Sequence, residues 1–88
     1  MSARKNSLYT KIVRITSDYL GLAAERFIDR QIQNHLQIEP REITASELQT
    51  LISWIRVAVS LLTEDLNIVD DYCKQLEELA EDYQSRTG

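Results

Sequence analysis

The stretch that decides the fold runs over residues 44–83, TASELQTLISWIRVAVSLLTEDLNIVDDYCKQLEELAEDY. It opens on a capping box. In Thr44-Ala45-Ser46-Glu47 the Thr44 hydroxyl can accept from the Glu47 amide while the Glu47 carboxylate accepts from the Thr44 amide. Ile43 and Leu48 flank that box where a hydrophobic staple belongs, which fixes the angle at which the chain joins the helix. Leu48, Leu51, Ile52, Ile55, Ala58, Val59 and Leu62 then recur three and four residues apart and predict one broad apolar stripe on a helix over 44–62. Past a short corner, Leu66, Val69, Cys73, Leu76, Ala80 and Tyr83 repeat the spacing, widened by Tyr72 and Leu79, and predict a helix over 65–83. Thr63 is the expected cap, with Glu64 and Asp65 in the first turn and Asn67 with Asp70 as a competing start. So short a connection makes the two helices antiparallel neighbours.

Upstream of the box, Pro40 lacks an amide hydrogen and biases Glu39 toward extended backbone, so residues 37–43 form a loop. Leu8, Ile12, Ile15 and Tyr19 predict a first helix over 6–20, closed by Gly21, which adopts left-handed backbone without penalty. A second helix over 22–37 turns Ala24, Phe27, Ile28, Ile32 and Leu36 inward, with Glu25 complementing its positive end. A single kinked helix over 7–37 is the alternative. No run alternates apolar and polar residues, and two glycines and one proline leave few tight turns. The expected fold is therefore all-α: one domain over 1–88, a bundle of four helices or of three if the first two fuse, with residues 1–5 and 84–88 frayed. Its expected core is Ile12 and Ile15; Phe27, Ile28 and Ile32; Leu48, Leu51, Ile52, Ile55, Val59 and Leu62; and Leu66, Val69, Cys73 and Leu76.

At 88 residues the chain buries only about 60 to 65% of its unfolded surface, so a subunit interface is a natural way to enlarge the core. The net charge of −4 conceals a gradient: residues 1–20 carry four bases against Asp18, whereas residues 64–88 carry eight acids against Lys74 and Arg86. One cysteine excludes an internal disulfide framework and fits a reducing, cytoplasmic setting. Lys11, Arg14 and Asp18 interrupt the apolar run that a signal peptide needs, and no stretch is long and apolar enough for a membrane span.

The residues that could carry chemistry are few. His35 is the only histidine, which removes two-histidine metal sites, and it lacks the lysine and glycine that follow a phosphotransfer histidine. Cys73 lies in the apolar seam among acids, where a thiol is packing rather than nucleophile. No phosphate loop, nucleophile elbow or serine triad is present, so neither enzymatic activity nor a cofactor or metal is expected. Arg26 and Arg30, one turn apart, are the candidates for contact with an anion or a partner carboxylate. Trp54, Tyr9, Tyr72 and Tyr83 are the candidate interface anchors, because large aromatics concentrate where subunits meet.

The resulting expectation is a non-catalytic helical interaction module that self-associates as a homodimer and presents a helical face to another protein. A small ligand- or anion-binding domain with a pocket between helices is the second reading. A nucleic-acid-associated regulator comes third, since neither helix of the hairpin is basic and only Arg4, Lys5, Lys11 and Arg14 could approach phosphates.

Overall fold

The computed structural model describes residues 7–87, and among them the only regular elements are helices. These are α1 (Ser7–Leu20), α2 (Ala24–His35), α3 (Ala45–Ser60) and α4 (Leu66–Thr87), with 3-10 turns at Gly21–Ala23 and Pro40–Glu42. The expected fraying of residues 1–5 lies outside the described residues. That of 84–87 does not: α4 continues past Tyr83 to Thr87, and the Gln49 amide donates to the Gln84 side chain at 3.0 Å.

No loop separates α1 from α2, which the Gly21–Ala23 turn joins directly. The joined pair is nevertheless folded back on itself. The Tyr9 hydroxyl donates to Asp29 at 2.6 Å, whereas 20 residues of continuous helix would hold the two roughly 30 Å apart. Gly21 makes the reversal with φ 61°, a left-handed value that a side chain would penalise. Gln37 adopts the same region at φ 56°, which ends α2 at His35, two residues before the expected boundary, while its amide still reaches the Ile32 carbonyl at 3.1 Å.

The capping box forms as its sequence dictates. Thr44 Oγ1 accepts from the Glu47 amide at 3.3 Å, and Glu47 Oε1 accepts from the Thr44 amide at 3.1 Å. Ile43 and Leu48 are both buried beside it. At the corner, by contrast, Asp65 is the cap of α4: its Oδ1 accepts from the amides of Asn67 at 3.0 Å and Ile68 at 3.4 Å, and Thr63 Oγ1 accepts from the Asp65 amide. A carboxylate is the better match to the positive end of a helix, so Thr63 lies two residues outside the cap.

α3 and α4 share the most extensive contact in the molecule. Arg56 meets Asp70 near the corner and Gln49 meets Gln84 at the open end, so the two run antiparallel. α1 also runs antiparallel to α4, with Lys11 over the Tyr83 ring, Thr16 on Tyr72 and Tyr19 on Asp71. Between these helices lie Ile12 from α1, Ile28 and Ile32 from α2, Leu48, Leu51, Ile52, Ile55 and Val59 from α3, and Val69, Tyr72, Cys73, Leu76 and Ala80 from α4. Ile15 and Phe27 are half-buried against this core rather than within it. Leu62 and Leu66, expected inside, are 62% and 67% exposed. The reason is that α3 stops at Ser60. Leu61 closes α3 as its cap, the chain then turns toward α4, and the three-four register that aimed Leu62 inward no longer holds.

Candidate interaction surface

The aromatic candidates separate by what their hydroxyls need. Tyr72 is fully buried in α4 against α1, and its hydroxyl lies 2.6 Å from Thr16 Oγ1. Because Thr16 donates its single hydroxyl hydrogen to the Ile12 carbonyl at 2.8 Å, the Tyr72 phenol must be the donor to Thr16. Tyr9 is buried too; besides its bond to Asp29 it lies 3.5 Å from Glu25, and the Arg41 guanidinium sits 5.7 Å from its ring centre. Neither tyrosine is available as a surface anchor, because a phenol whose hydroxyl finds a partner inside the fold gains more there than in water. Tyr83 is half-buried, with the Lys11 ammonium 5.2 Å from its ring centre. Only Trp54 keeps an open face. It is 46% exposed and stacks on His35, the last residue of α2, at 4.2 Å between ring centres and 6° between planes.

Tyr19, half-buried at the α1–α4 seam, donates to Asp71 at 2.7 Å and accepts from the Gln75 amide at 2.6 Å. Burial first, then the hydrogen bond to Asp71 and the nearby Asp71 and Asp18 charges, push its phenol up to about 12, with Gln75 opposing. Burial likewise raises the phenols of Tyr9 and Tyr72, Asp29 adding to the effect at Tyr9. These groups favour the fold while protonated, so their contribution is intact below the ordinary phenol value of 10 and falls as pH rises through the raised values. The melting temperature should therefore drop between pH 10 and about 12, with helix loss by circular dichroism tracking phenol ionisation. A melting temperature independent of pH over that window would contradict the assignment.

Cys73 is fully buried, and burial pushes its thiol up, with Arg56 only partly opposing. Its place is in the packing. Among the described residues no three of His, Cys, Asp and Glu converge on a common point that could hold a metal ion, and no helix is long and apolar enough to cross a membrane. Arg26 and Arg30 lie exposed on the outer side of α2, along a shallow depression shared with Leu22, Glu25, Asp29, Gln33 and Asn34. Asp29, one turn from Arg26, accepts from the Tyr9 hydroxyl. Trp54 does not line this depression, so the structure does not gather Arg26, Arg30 and Trp54 into one pocket.

What the residue-by-residue reading missed is a set of large apolar side chains left in water. Leu22, Val57, Leu61, Leu62, Leu66 and Ile68 are all exposed, Leu61 by 83% and Leu22 completely. They lie at one end of the bundle. Tyr19 near the end of α1 meets Asp71 near the start of α4, so the Gly21–Ala23 turn and the 61–65 corner share that pole. The signal available in the sequence was the apolar run Val57-Ala58-Val59-Ser60-Leu61-Leu62, longer than one helix face can hide. No protein-family model, curated protein or solved structure matches this chain.

Proposed function

We propose that this protein is a non-catalytic helical interaction module that buries the α3–α4 pole against another polypeptide, either a second copy of itself in a homodimer or a different protein. The observation that carries the reading is the clustering of Val57, Leu61, Leu62, Leu66 and Ile68 around one corner. Together they expose on the order of 500 Å² of apolar surface, at the upper end of the roughly 300 to 600 Å² that the largest patch of a monomeric protein shows. Scattered exposed leucines need no explanation; a gathered set does. Trp54, on the same helix as Val57 and nearer its start, extends the apolar ridge away from the pole.

A photo-crosslinking residue at position 61, compared in native cytosol with one at the exposed position 50, tests this directly. The expected result is polypeptide adducts from position 61 and none from position 50. Equal yields from both positions, or no adduct at 61, would remove the pole as a docking surface.

A further inference from the structure

The chemistry around the pole selects its occupant. Residues 57–63, Val-Ala-Val-Ser-Leu-Leu-Thr, contain no ionisable group. Arg56, Asp70 and Asp65 at its border are already engaged within the chain. Arg56 pairs with Asp70 at 2.7 Å, and the Asp65 carboxylate accepts the amides of Asn67 and Ile68. A surface prepared for a partner of opposite charge would present uncommitted charges at its rim; here Glu64 is the acid of the corner with no such engagement. A neutral apolar surface is self-complementary, which is what a two-fold contact requires, since each residue then meets the same set of residues on the other subunit.

We propose that the pole is covered by a second copy of the same chain, related by a two-fold axis that passes near Leu61 and Leu66. This rests on the reading of the pole as a docking surface and adds the identity of the partner and the symmetry of the contact. The area is adequate. Two such patches hide roughly 1,000 Å² between them, and the flanking Ser60 and Thr63 bring the contact to the lower bound of specific interfaces. An interface of that size is in the range of transient rather than obligate contacts. Two-fold closure also uses up the patch, whereas a head-to-tail contact would leave one copy of it open on every assembly.

The salt dependence follows from the same observations. With no interfacial ion pair to screen and a charge of −4 on each subunit, added salt should leave association unchanged or strengthen it. A basic partner segment drawn to the acidic α4 would instead bind less tightly as salt rises.

Sedimentation equilibrium of the purified full chain, from micromolar concentration to about 100 μM, is the test. The expected result is a reversible dimer, weakened at least tenfold by Leu61→Glu or Leu66→Glu, unaffected by Thr50→Glu, and not weakened by salt. Because Leu61 and Leu66 are exposed, the variants should keep the helical content and melting behaviour of the monomer, and circular dichroism verifies that they fold. A protein that stays monomeric to about 100 μM, or a dimer that both glutamate variants leave intact or that salt dissociates, overturns the proposal. If the purified protein is monomeric while position 61 still forms adducts with a different protein, the second copy is excluded and the docking reading survives. If neither occurs, both fail.

Discussion

Leu76→Glu should abolish the cooperative unfolding transition. Leu76 sits fully buried on the inward face of α4. Deleting a buried leucine costs about 2 to 5 kcal/mol through lost transfer energy and the cavity left behind. The glutamate must in addition either ionise in an apolar site or carry a proton it would not hold in water, which costs several kcal/mol more. An 88-residue domain has only about 5 to 13 kcal/mol of stability in total, so the sum consumes most of it. Its neighbour gives the contrast. Glu77 is exposed, and Glu77→Gln should shift stability by less than about 0.5 kcal/mol. Thermal and denaturant melts by circular dichroism read both variants, and similar behaviour would mean that the inward face of α4 is misassigned.

A second expected result concerns the buried hydroxyl pair, where the direction of one hydrogen bond makes the two single substitutions unequal. Thr16→Val removes the acceptor and strands the Tyr72 hydroxyl in a site with no exposed surface, costing about 1 to 3 kcal/mol. Tyr72→Phe removes the donor, but Thr16 keeps its own hydrogen on the Ile12 carbonyl and loses only a contact to a lone pair, at about 0.5 to 1.5 kcal/mol. Valine is close to threonine in shape, both being branched at Cβ, so packing change is small beside the loss of the hydroxyl. Urea denaturation of both variants measures the difference. A larger loss for Tyr72→Phe than for Thr16→Val would mean that the hydrogen bond runs the other way.

The hairpin was legible in the sequence because its signals are local. A capping box states its own hydrogen bonds within four residues, and the three-four spacing of Leu48, Leu51, Ile52, Ile55 and Val59 describes one face of one helix. The corner was not legible in the same way. Leu62 and Leu66 continue the apolar spacing as letters, but whether they point inward depends on where α3 ends and α4 begins, and the turn at 61–65 with the Asp65 cap of α4 decides that rather than hydrophobicity. The tyrosines failed for a related reason. Nothing in the neighbourhood of Tyr72 or Tyr9 in sequence announces Thr16, 56 residues away, or Asp29, 20 residues away, as hydroxyl partners. An aromatic residue reads as an anchor until its distant polar partner is known. The apolar pole was hidden most deeply, because it arises from adding Leu22 at one turn to the leucines of another, and only the topology places those turns at the same end.

The antiparallel contact of α1 with α4 bears on how the chain avoids folding into a near-copy of itself. Helices packed only by aliphatic side chains can slide past one another by one turn, about 5.4 Å, and still bury hydrocarbon against hydrocarbon. Here such a slip would carry Thr16 away from Tyr72 and Tyr19 away from Asp71 and Gln75, leaving a phenol hydroxyl without a partner in a dry interior. The three polar contacts thus act as a key for axial register. They contribute modestly to the stability of the correct arrangement and heavily to its margin over the shifted one, which is the quantity that decides whether a small helical chain has a single structure.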